Sequence, residues 1–208
     1  SIIRRPDRIQ LETADGVTRL FDHVVMATHA DQALKLLGDA EGAERNLLEA
    51  FPYQENIAVL HRDARWMPKR NRIWSSWNYI KSGDRDDSEL CVTYWMNRLQ
   101  SLPTRENLFV TLNPTADIRP ETIEKSMAFD HPVFNADSFR AQENMFALQG
   151  YRRTWYCGSY LGHGFHEDGI ASGLAVAEQL GGIARPWAGD PDFDQRRAGF
   201  EEYLQVAE

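Results

Sequence analysis

A glycine-rich loop followed by a helical pattern is the part of the chain that best suits chemistry on a bound ligand. The segment runs from Trp155 to Ala177, and its loop contains four glycines, Gly158, Gly162, Gly164 and Gly169. Glycine lets a backbone pass close to a flat ligand, and the bare amides at a helix start favour a negatively charged group. On spacing alone, an ordinary glycine loop and a helix packed closely on a sheet fit the pattern equally well.

Small residues continue along one face of the predicted helix. Gly169 and Gly173 lie one turn apart, and Ala177 extends the same face. Such a stripe permits close approach to a sheet or to a flat ring. Asp168, just before the stripe, is expected to cap the helix, which would stabilise it by about 1 kcal/mol.

Other chemistry in this segment is less well supported. His163, His166 and Asp168 could be taken as metal ligands, but no further ligand stands at a usual zinc spacing, so no metal site is predicted. Cys157 could be a nucleophile or a covalent cofactor tether, although a cysteine at a strand end is more often a small buried apolar residue. No nucleophile, base and orienting acid stand together in a recognisable arrangement, so the catalytic residues stay unassigned.

A second group of candidates is aromatic and lies in the middle of the chain. Alternating aromatic residues on neighbouring strands can form one wall of an apolar substrate pocket. Core packing is the alternative for at least half of them. The group is Trp74, Trp77, Tyr79, Tyr94 and Trp95.

These candidates must be positioned by the elements around them. The first part of the chain predicts a hairpin about Asp15-Gly16, a strand buried on both faces of a parallel sheet, a helix capped by Thr28 or Asp31, and a second helix. The ranges are Ile9 to Glu12 and Thr18 to Phe21 for the hairpin, His23 to Ala27 for the strand, and Gln32 to Leu37 and Glu44 to Phe51 for the helices.

The rest of the chain predicts a mainly antiparallel sheet and a return to alternating strand and helix. The strands are Asn56 to His61, Arg72 to Tyr79, Leu90 to Met96, Leu108 to Leu112, Ile123 to Phe129 and Thr154 to Cys157, with a solvated loop at Lys81 to Asp87. Three helices follow: one capped by Asp137 and running through Leu148, one from Gly169 to Leu180, and one near Phe193 to Val206. This is an α+β fold with flanking helices and a partial α/β layer from both ends of the chain.

Composition narrows the class of protein. The 208 residues allow one large domain or one domain with an appendage, and 42% hydrophobic residues are enough for a core. A net charge of −8 makes nucleic acid an unlikely main partner. The basic cluster of Arg65, Lys69, Arg70 and Arg72 could meet an acidic head group, but a solvated hairpin loop is preferred.

The sequence also bears on location and completeness. The longest apolar runs fall far short of the roughly 20 residues of a membrane span, so no transmembrane segment is expected. Two cysteines, Cys91 and Cys157, are too few for a disulfide framework, which favours a reducing, cytoplasmic setting. The chain begins at Ser1 without an initiator methionine, and we expect an N-terminal part to be missing.

Three stretches together resemble the C-terminal part of the FAD-dependent amine oxidase superfamily, in particular its bacterial branch of NAD/FAD-binding amine oxidoreductases. Phe21 to Leu34 is similar to the strand and helix that return to the FAD domain. Cys157 to Gly173 resembles the closing flavin motif. The middle stretch resembles the sheet of that branch's substrate domain, and it comprises Arg65 to Arg70, Trp74 to Tyr79 and Val92 to Leu99.

The resemblance implies where FAD would lie. The loop would approach the ribityl and pyrophosphate groups, and the helix start would face the flavin pyrimidine edge, where the amides of Gly169 and Ile170 stabilise the charge of the reduced ring. Asp168 is assigned to capping because its charge would oppose reduction. Only three residues separate Gly169 from Gly173, fewer than is usual in the larger amine oxidases. The implied cofactor-binding residues are Ala27, Thr28, Gly158, Ser159, Asp168, Gly169 and Ile170.

The resemblance also shows what this sequence lacks. No Gly-x-Gly-x-x-Gly follows an early strand, so the N-terminal dinucleotide-binding region is expected to be missing. Residues 1–50 would return to the FAD domain, residues 51–150 would form the substrate-domain-like part, and residues 151–208 would hold the closing flavin motif. Alone, the chain should bind FAD weakly or not at all and should self-associate through exposed apolar faces.

The function implied is that of a fragment of an FAD-dependent oxidoreductase. The intact enzyme would transfer a hydride to flavin from a small amine or a lipid-like substrate, and the fragment alone would be inactive. The alternative is a non-catalytic domain that binds a ligand or another protein.

Overall fold

The computed structural model describes residues 1–81 and 90–184, and the chain divides into two compact units. Unit 1 comprises Ser1–Tyr53 and Pro132–Glu208, and unit 2 comprises Gln54–His131. Helices alternate with strands that pair mainly antiparallel, which confirms the α+β class. The predicted loop beyond Lys81 and the predicted last helix near Phe193 to Val206 lie outside the described residues.

The elements are numbered in chain order. The strands are β1 Ile2–Arg4, β2 Ile9–Glu12, β3 Thr18–Phe21, β4 Val24–Met26, β5 Tyr53–His61, β6 Trp77–Lys81, β7 Leu90–Trp95, β8 Phe109–Leu112, β9 Ile123–Pro132 and β10 Thr154–Tyr156. The helices are α1 Ala30–Leu36, α2 Gly42–Glu49, α3 Met96–Leu99, α4 Ala136–Met145 and α5 His166–Gln179. None of these helices has the length and apolar composition that a membrane crossing requires.

Unit 1 begins with the predicted hairpin, in which β2 pairs antiparallel with β3. Gly16 lies in the turn at φ 79°, a conformation that favours glycine. The strand β1 adds to the other edge of β2, with Ile3 opposite Gln10. Sequence reasoning missed β1 because three residues are too short for an alternating pattern.

The strands β4 and β10 form a two-stranded parallel sheet, so the parallel pairing predicted for β4 is confirmed. Burial on both faces was wrong, because the side chain of Val25 is 43% exposed. The reason is that β10 is the one pairing partner of β4 within the described residues, whereas a strand inside a wide parallel sheet is covered on both sides.

Four predicted helix starts differ from those observed. The residue before α1 is His29, whose N–H donates to Gln32 Oε1, so neither Thr28 nor Asp31 caps that helix. Asn135 caps α4 by accepting the N–H of Ser138, and Asp137 lies inside the first turn. These errors are small shifts along the chain, since several adjacent polar residues can serve as a cap.

The other two boundaries concern α2 and α5. The helix predicted from Glu44 to Phe51 occupies Gly42–Glu49. The helix predicted from Gly169 begins three residues earlier, at His166, because Asp168 reaches back to the loop from within the first turn.

A buried ion-pair network joins β1, α2 and β10 in unit 1. The Arg4 side chain has no exposed surface and donates to Glu44 Oε2 at 2.6 Å and to Asp39 Oδ1 at 2.9 Å. The Tyr156 hydroxyl donates to Glu44 Oε1 at 2.6 Å, and burial raises the pKa of Tyr156 far above its usual range, so the hydroxyl keeps its proton. Each buried charge is therefore paired, as its desolvation requires.

Unit 2 contains a five-stranded sheet in the order β6, β7, β8, β5, β9. Trp77 lies opposite Tyr94 between β6 and β7, and Thr93 lies opposite Thr111 between β7 and β8. The strand predicted from Arg72 begins only at Trp77, because Asn71–Ile73 forms a 3-10 turn.

Candidate functional site

The carboxyl ends of β4 and β10 lie side by side in unit 1. The Cys157 N–H donates to the Met26 carbonyl at 3.1 Å, and a β-carbon on Gly158 would lie 3.6 Å from the Thr28 carbonyl oxygen. Each strand then enters a loop that leads to a helix, α1 after β4 and α5 after β10. In open parallel sheets, ligands bind outside the carboxyl ends of the strands, so this edge is the candidate site.

The structure brings all seven predicted cofactor-binding residues to this edge or to the helix that follows it. Ala27 and Thr28 follow β4 directly. Gly158 and Ser159 follow β10, and the other three lie in the first half of α5: Asp168, Gly169 and Ile170.

Ser172 fastens the β10 loop to α5. Its Oγ accepts the Gly158 N–H at 3.0 Å and lies 3.0 Å from the Gly169 carbonyl, to which it can donate. Gly158 has φ +155°, and a β-carbon there would come within 2.8 Å of the Tyr160 ring. Sequence reasoning missed Ser172; the available signal was a hydroxyl one turn beyond Gly169 on the helix.

Asp168 holds the loop that precedes α5. Its Oδ2 accepts the N–H groups of His163 and Phe165, each at 3.0 Å. The carboxylate therefore caps the helix as expected, but it does so from the first turn rather than from in front of the helix. Because two backbone amides of the loop donate to the carboxylate, its negative charge stabilises the loop.

Gly169 and Ile170 lie within α5 rather than at its first residue. The Gly169 N–H donates to the Phe165 carbonyl at 3.3 Å, which closes the first helical turn. The terminal amides of the helix are consequently those of His166 and Glu167.

The small-residue face of α5 is open in the part of the chain that the structure describes. A β-carbon on Gly173 would meet no atom within 4 Å, and one on Gly169 would lie 3.7 Å from the Ser159 nitrogen. Phe165 and Ile170 are about 60% exposed near the same end of the helix. A flat apolar group could therefore approach this face without displacing protein atoms.

Two further chemical groups near this edge, the Cys157 thiol and the Tyr160 hydroxyl, are buried. Burial raises the pKa of the Cys157 thiol, so thiolate chemistry is disfavoured. Burial also raises the pKa of Tyr160 well above its usual range, and no partner for its hydroxyl lies among the described residues. Within residues 1–81 and 90–184, no group of three or more His, Cys, Asp or Glu side chains is placed to hold a metal ion.

The five aromatic candidates of unit 2 do not share one wall. Successive side chains of a strand alternate between faces, and the pairing of Trp77 with Tyr94 places both on the face that also carries Tyr79. Trp95 lies on the opposite face, where it pairs with the buried Phe109. Trp74 packs edge-on against both Trp95 and Phe109, at centroid distances of 5.3 and 5.8 Å.

The exposed aromatic face therefore consists of three residues. Trp77 and Tyr79 are 47% and 64% exposed, and the Trp77 ring lies edge-on to Tyr94 at 5.4 Å. Trp74 and Trp95 are half-buried and pack against each other, and Trp74 also packs against the buried Phe109.

One member of the basic cluster is engaged in an ion pair. Arg65 Nη2 donates to Asp63 Oδ2 at 2.6 Å, and Arg119 donates to the other carboxylate oxygen. Hydrogen bonds from Arg65 hold the pKa of the buried Asp63 well below its usual range. Arg65 is therefore structural in this unit.

A buried histidine of β5 links neighbouring strands of the unit 2 sheet. Sequence reasoning missed this residue. His61 Nδ1 accepts the Asp63 N–H at 3.1 Å, which leaves Nε2 to donate to Thr111 Oγ1 at 2.8 Å. Thr111 Oγ1 in turn lies 2.8 Å from Thr93 Oγ1. Burial lowers the pKa of His61 to about 4, so the ring is neutral at pH 7.

Comparison with known proteins gives a likeness of fold. No protein-family model matches the chain, and no curated protein matches it. It is similar to the crystal structure of a CLA-producing fatty acid isomerase from P. acnes, with a TM-score of 0.57 and 16% identity over 86% of this chain and 46% of that one. It is also similar to a reduced UDP-galactopyranose mutase, with a TM-score of 0.57 and 10% identity over 96% of this chain and 49% of that one. The chain thus spans about half the length of both.

Proposed function

We propose that this chain is part of an FAD-dependent enzyme and forms one wall of its flavin site at the carboxyl ends of β4 and β10. The observation that carries the proposal is the parallel pairing of β4 with β10, continued by the hydrogen bond from the Cys157 N–H to the Met26 carbonyl, which sets the ends of the two strands beside each other. The fold likeness and the sequence resemblance to FAD-dependent amine oxidases support the same conclusion.

The residues at this edge fit a flavin in shape and polarity. Ala27, Thr28, Gly158 and Ser159 would approach the ribityl and pyrophosphate groups. The open face at Gly173, next to the exposed Ile170, would accept a flat ring. Bound flavin would supply the hydride acceptor, and the protein would hold and orient it.

Asp168 and Ser172 would act indirectly. Asp168 is bound to the amides of His163 and Phe165, so its charge stabilises the loop and is partly neutralised there. Ser172 fixes Gly158, whose position decides how closely the loop can approach a cofactor. Both residues would keep the loop in one geometry with or without flavin.

A second part of the protein would complete the site. The sequence has no Gly-x-Gly-x-x-Gly fingerprint after an early strand, and the chain spans about half of each fold neighbour. Residues 1–208 alone should therefore hold FAD weakly, because the group that binds the adenine and the pyrophosphate lies elsewhere.

The substrate would be apolar, with a lipid-like molecule favoured over a small amine. One sheet face carries the exposed rings of Trp77 and Tyr79 beside the half-buried ring of Tyr94, and such a face suits contact with an apolar chain. One fold neighbour is a fatty acid isomerase, which points the same way. The reaction would move a hydride between the substrate and the flavin.

The test is flavin content in the complete protein that the gene encodes. After gentle purification, flavin absorbance bands at near-stoichiometric FAD are expected. A colourless protein that added FAD does not reconstitute would overturn the proposal and favour a non-catalytic binding domain.

A set of variants then locates the site. Gly169→Val would place branched methyl groups against the Ser159 nitrogen, which already lies 3.7 Å from a β-carbon position, and should abolish flavin retention. Gly169→Ala makes only ordinary contact there and should lose less. Lys35→Ala, on the exposed side of α1, is the control and should retain FAD.

Folding stability separates a loss of FAD caused by a blocked flavin site from a loss caused by unfolding. The helix propensity of Val is no worse than that of Gly. The free energy of unfolding of Gly169→Val should therefore differ from that of the unsubstituted protein by less than about 1 kcal/mol. Stoichiometric FAD with an unchanged spectrum in this variant would show that α5 does not face the flavin. Loss of both FAD and folded structure would assign the glycines to packing alone.

A further inference from the structure

We propose that a basic turn of unit 2 binds the surface of an anionic lipid membrane. The basic turn is formed by residues 69–73, between β5 and β6, and it carries Lys69, Arg70 and Arg72 followed by Ile73. The proposal goes beyond the proposed function, because it requires no flavin and uses residues of unit 2 alone.

Both ends of the basic turn are anchored in unit 2. On one side, the Met67 side chain is buried. On the other side, the Trp74 ring packs edge-on against the buried Phe109, and its Nε1 donates to the Pro68 carbonyl at 2.7 Å, which closes the loop at its base. The backbone of the turn is therefore preorganised, and it loses little conformational entropy when a partner binds.

The three cations of the basic turn have no counter-charge among the described residues. Residues 69–73 are all exposed. Arg65, the fourth member of the basic cluster, pairs with Asp63. In the part of the chain that the structure describes, no ion-pair or hydrogen-bond partner is found for the side chains of Lys69, Arg70 and Arg72. These three charges are free to pair with anionic groups of a partner.

Arg98 adds a cation beside the basic turn. It lies in α3, its side chain is exposed, and its Nη1 donates to the Trp74 carbonyl at 2.9 Å. This hydrogen bond holds the guanidinium group next to the end of the turn, where Ile73 precedes Trp74. The positive charge therefore comes from two elements that are fixed to each other.

The apolar end of the basic turn indicates which partner it fits. Ile73 is 61% exposed, the most exposed aliphatic side chain among the described residues of unit 2. A solvated loop explains the cations but gives no role to Ile73. At a membrane surface, an apolar side chain enters the boundary between head groups and acyl chains while neighbouring Lys and Arg side chains pair with lipid phosphates.

The charge of the whole chain favours a membrane over nucleic acid. Because the net charge is −8, most of the surface is repelled by an anionic partner, and contact is restricted to the basic turn. A nucleic acid is bound by cations that follow a track of phosphates over a larger surface. A single turn with an apolar end suits the plane of a membrane instead.

Vesicle sedimentation with the complete protein tests the proposal. We expect binding to vesicles of equal parts phosphatidylglycerol and phosphatidylcholine that weakens as salt is added, and little binding to pure phosphatidylcholine. Arg70→Ala should weaken binding about fivefold, and the combined variant Lys69→Ala/Arg70→Ala/Arg72→Ala about 100-fold. Equal binding to both kinds of vesicle, or none to either, would overturn the proposal.

A matched variant separates the basic turn from net charge. Lys35→Ala/Arg45→Ala/Arg140→Ala removes three exposed cations of unit 1, each of which pairs with a carboxylate, and should bind anionic vesicles within about twofold of the unsubstituted protein. If both triple variants lose binding equally, or if neither loses it, the basic turn is not the membrane contact.

Ile73 provides an independent measurement. Ile73→Ser should weaken vesicle binding several-fold, whereas Ile73→Leu should bind as the unsubstituted protein does. Urea unfolding of every variant should be unchanged, since all the substituted side chains are exposed. Full vesicle binding by Ile73→Ser would remove the apolar contact from the proposal. Binding of a DNA duplex in place of vesicles, lost in the triple variant of the turn, would assign the turn to nucleic acid and overturn the proposal.

Flavin content, measured on the same samples, keeps the two proposals apart. Vesicle binding by a protein without FAD would remove the proposed function and leave the membrane contact. Stoichiometric FAD in a protein that binds no vesicles would do the reverse.

Discussion

The Asp168 carboxylate fills the space that a side chain on Gly162 would need. A β-carbon built on Gly162 would lie 2.7 Å from the Asp168 β-carbon and closer still to the carboxyl group. Gln142 from α4 holds the same loop by donating to the Gly162 carbonyl at 2.6 Å. The loop before α5 is therefore held from two sides, and Gly162 is required by close packing.

Gly162→Ala should destabilise unit 1 by about 1–3 kcal/mol, because neither the helix-bound Asp168 nor the loop can move aside freely. Gly173→Ala should be neutral or stabilising by up to about 1 kcal/mol, since its β-carbon meets no atom within 4 Å and Ala favours the helix. Urea unfolding of both variants measures the difference. Equal destabilisation would mean that the α5 face at Gly173 is covered.

The two groups of aromatic residues in unit 2 should respond differently to truncation. Trp74→Ala removes packing against Trp95 and Phe109 and the hydrogen bond from Nε1 to the Pro68 carbonyl, at a cost of about 2–4 kcal/mol. Trp77→Ala removes a half-exposed ring and should cost about 1 kcal/mol or less. Chemical unfolding followed by far-UV circular dichroism gives both values. A larger loss for Trp77→Ala would assign that ring to the core.

The buried His61 should make unit 2 less stable in mild acid. Burial lowers its pKa from 6.5 to about 4, so between these values the unfolded chain binds a proton that the folded chain does not. The free energy of unfolding should therefore decrease as the pH is lowered, by about 2 kcal/mol between pH 7 and pH 5. Urea midpoints across this range measure the fall.

His61→Gln provides the control, because its side chain stays neutral throughout the range. Its unfolding free energy should depend less on pH than that of the unsubstituted protein. Parallel pH profiles for the two proteins would show that His61 does not cause the loss.

Local sequence patterns predicted the hairpin about Gly16, most strands of the antiparallel sheet and the parallel nature of β4. They located α5 but not its first residue. Asp168 lies within the first turn of α5 and caps the helix by accepting N–H groups of the preceding loop, so it does not mark the helix start. The split of the aromatic group depends on register, which sets Trp77 opposite Tyr94 and Trp95 opposite Phe109. A one-residue shift of register would reverse those faces, and no local pattern fixes it.

The hidden polar groups were the least predictable feature. His61 and Thr111 are 50 residues apart, and their hydrogen bond depends on strands that sequence patterns do not align. The burial of Arg4 and Glu44 was not predicted, since isolated charged residues are seldom buried. Sequence patterns do not distinguish Ser172 from other helical serines, because its hydrogen bond with the Gly158 N–H depends on the position of the loop.

The order of the two units along the chain also governs events during synthesis. Unit 2 is complete once His131 has left the ribosome, whereas Glu44, already paired with Arg4, must await Tyr156, 112 residues later, for its second partner. Over the same interval β4 has no strand beside it, because β10 has yet to be made. The inserted unit therefore sets how long the nascent chain leaves β4 open to chaperones or to premature aggregation.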